Sequence, residues 1–297
     1  MLKKTIASLR FFFRKRLVFF SDEVFSQIKD FDYLVNAKDL SNYNEAIKND
    51  KQQNISTDIE EIIHPLYYTK ISWKIIENLN KYLENPFDEA ILKTIVHQSE
   101  TIIFHNDLEF PANLKVVSKI WSIQAHKKGT KIVIKFDYYS DNKHIATEYT
   151  GGLLFGVKCI GGGKSLGEIP KTEKIDELSI WEEKIEIDKL MPFIYAEKAE
   201  IDAPIHTNPK FAKSIGLPNN ILQGTCTFAK VVSIIMTKEC KGNLDIIKSV
   251  SAKFTRMLIP PNRVTVRLLK KKKNILYFDV LDNKNKAVLR GGQILLK

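Results

Sequence analysis

In CTFAKVVSIIMT, Cys226 to Thr237, the apolar residues Phe228, Val231, Val232 and Ile235 recur at i, i+3, i+4 and i+7, the spacing of one helix face. Little polar face remains, so this helix must be enclosed by other structure. The segments that follow, PPNRVTVRLL (260–269), NILYFDVLDNK (274–284) and AVLRGGQILL (287–296), are rich in β-branched and aromatic residues bounded by turn formers, and they read as strands. A curved antiparallel sheet wrapped around one apolar helix is the economical way to bury both.

The same order occurs earlier in the chain. ISWKIIENLNKYL (71–83) has apolar residues Ile71, Ile75, Ile76, Leu79, Tyr82 and Leu83 at helical spacing. PANLKVVSKI (111–120), KIVIKFDYYSDNK (131–143) and ATEYTGGLLF (146–155) then parallel the three later strands, with Phe-Asp at 136 and 278, Asp-Asn-Lys at 141 and 282, and Gly-Gly at 151 and 291. A repeat near 140 residues is a duplicated domain and not a solenoid unit. The fold class expected is α+β: two helix-wrapped antiparallel sheets in one chain, with room to continue one sheet into the other and a ligand cleft at their junction. The boundaries expected are 1–60 for a basic, helical extension and a polar linker, 61–160 for the first unit, 161–179 for a connector and 180–297 for the second unit.

Composition narrows the function classes. The chain has 297 residues, 44% of them apolar, enough to bury a substantial core. Its net charge of +11 looks like a nucleic-acid signal, but six of the excess cations (Lys3, Lys4, Arg10, Arg14, Lys15, Arg16) lie in the first twenty residues. The run Lys270 to Lys273 separates two strand-like segments and reads as a solvated hairpin loop, so no nucleic-acid partner is expected. Arg14, Lys15 and Arg16 interrupt the apolar start, which argues against a transmembrane segment. Residues 1–20 leave three readings open: an amphipathic helix packed on its own domain, weak membrane-surface contact, or an organelle presequence. The expected location is cytoplasmic, or mitochondrial if the presequence reading holds. Cys159, Cys226 and Cys240 have neither disulfide nor zinc spacing, and a reducing compartment suits them. GGGKS (161–165) is not a phosphate loop, because the first glycine of that motif would fall on Lys158 and Pro170 stops the following helix.

One segment carries chemistry. YAEKAEIDAPIHTNPKFAKSIGLPNNILQGTCTFA, Tyr195 to Ala229, resembles the hydratase segment of the MaoC-like dehydratases, the (R)-specific enoyl-thioester hydratases, with Tyr195, Ala196, Pro204, Ile205, His206, Ala212, Gly216 and Gly224 at the positions that match. The resemblance is close over the second half and extends to the first as a degenerate partner unit. It implies a double hotdog that adds water reversibly to a 2-enoyl thioester, or removes it from a 3-hydroxyacyl thioester. It implies His206 as acid/base, Asp202 as the partner carboxylate and Gly224 as the oxyanion donor, with Tyr195, Pro204, Gln223 and Thr225 binding substrate. An imidazole exchanges protons near neutral pH, and a helix N-terminus offers free N–H groups to enolate charge.

The chain departs from the family pattern at two places. The family aspartate, five residues before the histidine, is Ile201 here, and the asparagine three before is Ala203; Asp202 lies between them, where a one-residue shift turns a side chain the other way. The helix-start histidine is Gln223. Glu200 is an alternative carboxylate. A catalytically degenerate acyl-thioester-binding scaffold and a hotdog thioesterase are the alternative functions. The substrate carrier is coenzyme A or an acyl-carrier protein, met by lysines such as Lys210, Lys213 or Lys253. An apolar acyl tunnel is expected in the first half. No cofactor and no metal are expected, and the chain is expected to act as a pseudo-dimeric monomer or a homodimer.

Overall fold

The computed structural model describes residues 17–48 and 63–297. Among these, thirteen strands form: β1 (Val18–Phe20), β2 (Phe31–Val35), β3 (Ile95–Phe104), β4 (Ala112–His126), β5 (Gly129–Ser140), β6 (Lys143–Phe155), β7 (Lys158–Ile160), β8 (Lys164–Ser165), β9 (Trp181–Ile187), β10 (Ile247–Phe254), β11 (Asn262–Lys272), β12 (Ile275–Leu281) and β13 (Ala287–Leu296). The helices are α1 (Ala37–Ile47), α2 (Tyr68–Ile76), α3 (Leu79–Tyr82), α4 (Glu89–Leu92), α5 (Met191–Ala199), α6 (Pro204–Thr207), α7 (Pro209–Ser214) and α8 (Gly224–Cys240).

One sheet runs through both halves in the order β2-β4-β5-β6-β3-β10-β13-β12-β11-β9, with β8 beside β4. The seam is the antiparallel pairing of β3 with β10, centred on Thr101 opposite Ser251. On either side of that pair the strands mirror each other out to β2 at one edge and β9 at the other. This is the double hotdog with a continuous sheet. The strands alternate as a half-buried sheet requires: Ala112, Leu114, Val116, Ser118 and Ile120 of β4 face inward, with Asn113, Lys115 and Lys119 outward. In α8, Phe228, Val231, Val232, Ile235 and Met236 are fully buried, as the absence of a polar face demands.

Three sequence expectations change. Residues 31–47 are not an extension: β2 pairs along β4 in register from Phe31–Val116 to Val35–Ala112, and Leu40 and Tyr43 of α1 are fully buried. The helical part, α1, is amphipathic and is capped by Asn36, whose side chain accepts from the Asp39 N–H. The first unit therefore starts well before residue 61, and β2 with α1 corresponds to β9 with α5. Residues 18–20 form β1, paired parallel with β7, while the remainder of the basic start, residues 1–16, lies outside the described residues, as does 49–62. Finally, Phe136 pairs with Glu148 but Phe278 pairs with Gly292, so the two Gly-Gly pairs do not occupy equivalent ladder positions.

Candidate active site

The site segment is a loop between α5 and α8, held to the start of α8 by hydrogen bonds from both sides. Glu200 closes α5 in the left-handed region at φ 53°, which turns the chain out of the helix. Pro204 opens the single turn α6, where its fixed φ suits a first helical position, and the His206 N–H donates to the Ala203 carbonyl at 2.8 Å. The Asn220 amide then donates to the His206 carbonyl at 2.8 Å, and the Ile221 N–H to the Ile205 carbonyl at 3.2 Å. Residues 205–206 and 220–221 are thus laced together just before Gly224.

His206 is half-buried, and its Nδ1 lies 2.9 Å from the Ile221 carbonyl oxygen. A carbonyl only accepts, so Nδ1 carries the proton and donates, which leaves a lone pair on Nε2. Nε2 has no hydrogen-bond partner among the described residues. Burial lowers the His206 pKa below the ordinary imidazole value, against the opposing pull of the Ile221 carbonyl and the Asp202 charge. The ring is therefore neutral at pH 7, a base with its acceptor nitrogen free.

The carboxylates fall differently from expectation. Ile201 is 1% exposed, and its carbonyl accepts from the Gln223 amide at 3.2 Å. Asp202, the next residue, points the other way: it is exposed and accepts from the Thr207 hydroxyl at 2.6 Å. The one-residue shift has the outcome that an extended backbone imposes, an apolar side chain inside and the carboxylate outside. Asp202 does not hydrogen-bond His206 and acts on it only through its charge. Glu200 is occupied elsewhere. Its carboxylate accepts from Lys70 at 2.9 Å and from Lys74, and Lys70, with no exposed side-chain surface, also approaches Asp39 at 3.4 Å. Burial raises the Glu200 pKa, but hydrogen bonds from Lys74 and Lys70 outweigh it and leave the group below its ordinary value.

Gly224 is the first residue of α8, and the N–H groups of Gly224, Thr225 and Cys226 have no carbonyl behind them within the helix; Thr227 is the first to find one, that of Gln223. A Cβ at 224 would lie 2.7 Å from the Phe254 ring, so that aromatic side chain is the reason for glycine. Gln223 is 2% exposed and donates to the carbonyls of Pro192 and Ile201. Tyr195 and Thr225, both buried, satisfy each other at 3.1 Å. Three of the four residues expected to bind substrate are thus inside the packing, and Pro204 alone of the four is exposed. Cys226 is buried, and burial pushes its thiol up to about 12, so it is no nucleophile at neutral pH.

Residues of the first half reach the same place. Phe254 packs at a tilt against His97 with ring centroids 4.5 Å apart, and His97 against Trp73 at 5.6 Å. The Trp73 indole N–H donates to Glu77 at 2.6 Å, and Glu77 lies within electrostatic range of Asp202. These residues carried no motif; only their place beside the seam reveals them. His64 caps the turn before α2 through Nδ1 and meets Ser233 through Nε2 at 3.2 Å. Among the described residues, no three His, Cys, Asp or Glu side chains are arranged to hold a metal ion, and no helix is long and apolar enough to cross a membrane.

Residues 193–288, from α5 into β13, match the family described as "MaoC like domain". "Enoyl-CoA hydratase 2, peroxisomal" of Arabidopsis thaliana is 31% identical over 88 residues, 30% of this chain and 28% of that protein. "Peroxisomal multifunctional enzyme type 2" of Drosophila melanogaster is 21% identical over 222 residues, 74% of this chain and 37% of that protein. The chain thus spans well under half of these relatives. Among solved structures, the MaoC-like dehydratase from Phytophthora capsici superposes with a TM-score of 0.80 at 18% identity, covering 93% of this chain and 98% of that one.

Proposed function

We propose that this chain, whose residues 193–288 form a MaoC-like domain, is a reversible hydratase of 2-enoyl thioesters and dehydratase of 3-hydroxyacyl thioesters in acyl metabolism. The observation that supports this most is the free Nε2 of a neutral His206, laced through Ile221 to the N-terminus of α8. A helix start supplies N–H groups and a positive dipole end to charge that develops on the thioester oxygen as the enolate forms. His206 Nε2 takes a proton from water as its oxygen adds to the β-carbon. Return of that proton from the imidazolium to the α-carbon restores the neutral ring, so H and OH are added and nothing else is consumed. Glycine at 224 lets the Phe254 ring pack against this helix start. Asp202 tunes the imidazole by charge alone.

Coenzyme A is the carrier we favour, because relatives matched by this chain are named as enoyl-CoA hydratases, and its phosphates suit exposed lysines such as Lys210 and Lys213. The three unpaired thiols are consistent with a reducing compartment such as the cytoplasm. The test is hydration of crotonyl-CoA followed by loss of the enoyl absorbance, with His206→Ala expected to lose about 10²-fold or more in kcat/KM. Turnover equal in the two proteins overturns the assignment. A binding scaffold without turnover is the second reading, favoured by the buried Ile201; it predicts thermal stabilisation by crotonyl-CoA with no product.

A further inference from the structure

The first half was expected to offer an apolar tunnel, and its otherwise apolar core holds a buried, hydrogen-bonded polar cluster. Glu148 is fully buried and accepts from Ser72 at 2.7 Å, from Thr150 at 3.1 Å and from the Tyr138 hydroxyl. Glu100, 1% exposed, lies 3.3 Å from the Thr150 hydroxyl oxygen, so that the two carboxyls flank one hydroxyl, and 3.2 Å from His97 Nε2. The cluster spans α2, β3, β5 and β6, between the helix and the sheet that wraps it. The second half differs at the same places. Gly292 stands on the ladder where Glu148 stands, each opposite the phenylalanine of its Phe-Asp pair. Val250 precedes the central Thr101–Ser251 pair on its strand as Glu100 does on the other.

This cluster lies behind the candidate site. From Gly224, the first half is met through Phe254, then His97, then Trp73, and His97 Nε2 touches Glu100. We propose that Glu148, Glu100, Tyr138, Ser72 and Thr150 form a polar plug that limits the site to short acyl chains by closing, with buried polar groups, the way past His97 into the first half that a longer tail would take. The inference rests on the acyl-thioester reading of His206 and Gly224. A methylene chain gains from burial only against apolar surface. Here it would have to break hydrogen bonds among buried hydroxyl and carboxyl groups and offer no partner in return. Burial also raises the pKa of Glu148 to about 8, so the cluster carries its protons at neutral pH and donates as well as accepts.

The experiment compares crotonyl-CoA with trans-2-decenoyl-CoA on the full chain, by initial hydration rate and by calorimetric binding. The expected result is a kcat/KM at least about a hundredfold lower for the ten-carbon chain, steric exclusion by a filled pocket being stronger than the loss of a single methylene contact. Glu148→Gly, which places at 148 the residue that the second half uses, is expected to narrow that ratio by about tenfold; Ser72→Gly serves the same purpose if the first variant does not fold. Equal rates on the two substrates in the unaltered protein overturn the plug and leave the hydratase reading intact. Absence of turnover on both, with crotonyl-CoA binding about a hundredfold tighter, supports the plug and removes the hydratase reading. Absence of turnover with equal or no binding overturns both.

Discussion

The hydroxyls of Tyr43 and Tyr195 lie 3.5 Å apart, one from each half. Tyr43 comes eight residues after Val35, the end of β2, and Tyr195 eight after Ile187, the end of β9, so the two leading helices bring equivalent residues together at the junction. Tyr43 donates to the Leu66 carbonyl at 2.8 Å and Tyr195 to Thr225 at 3.1 Å, which ties both helices to the two wrapped helices beyond. Burial raises both phenol pKa values, so neither ionises within the stable pH range. Tyr43→Phe and Tyr195→Phe are each expected to cost about 1 kcal/mol in chemical denaturation, since each removes one buried hydrogen bond. A double variant that loses about 0.5 kcal/mol less than the sum confirms that the hydroxyls are coupled; strict additivity shows that they are not.

Asp202→Asn is expected to leave kcat/KM for crotonyl-CoA at neutral pH within about threefold of the unaltered protein, because the carboxylate faces Thr207 and not His206. Its charge raises the His206 pKa, so its removal moves the acidic limb of the pH–rate profile further down. A loss of two orders of magnitude at pH 7 would show that Asp202 turns inward to hold water.

Much of this arrangement is legible in the sequence, and the parts that are not have a common cause. The spacing of Phe228, Val231, Val232 and Ile235 reveals an enclosed helix because a helix buried all round leaves an unmistakable pattern. Residues 31–47 are missed because an amphipathic helix with Lys38, Asp39, Asn42 and Glu45 resembles a loop by composition, and a short edge strand such as β2 gives little signal of its own. Tyr195, Gln223 and Thr225 match the motif by position, yet in the structure all three are buried and hydrogen-bonded within the packing, which a motif match does not reveal. Trp73, His97 and Glu148 belong to no motif: they meet the site only through the β3–β10 seam, a long-range pairing that no local spacing encodes.

Gly224→Ala tests the helix start. The added Cβ would approach the Phe254 ring to 2.7 Å, and the ring, packed on His97 and Phe228, has little room to give. The expected cost is about 1–3 kcal/mol in stability, the usual range for overpacking, together with a loss of kcat/KM as the first N–H groups shift. Gly224→Ala combined with Phe254→Leu should recover most of the stability, read by thermal melting. Recovery of stability without recovery of rate would assign Phe254 to the site as well as to the packing.

The buried carboxyl cluster makes stability fall as pH rises. Burial, followed by the nearby Glu100, holds the Glu148 pKa at about 8, whereas an unfolded chain returns it to about 4.5. Between those values the native state keeps a proton that the unfolded state has lost, so the stabilisation is complete below about 4.5 and is gone above about 8. His64 acts in the opposite sense: burial lowers its pKa to about 3, and it contributes stability above 6.5 that is lost as pH falls toward 3. His97, held at about 4 by burial, does the same. The window from pH 7.5 to 8.5 favours the carboxyls, because an unfolded imidazole, with its ordinary value of 6.5, is by then about nine-tenths deprotonated, as it is in the folded protein. Across it the unfolding free energy is expected to drop by about 0.5–1 kcal/mol, against a limit of about 1.4 kcal/mol per pH unit for one proton. Glu148→Gln, which preserves the shape and has no proton to lose, should make the slope shallower. It should not abolish it, because Glu100 is raised in the same direction and the two titrate as a pair. Urea titrations at pH 7.5 and 8.5 measure the difference directly, and a flat or rising stability would show that Glu148 is ionised in the folded protein.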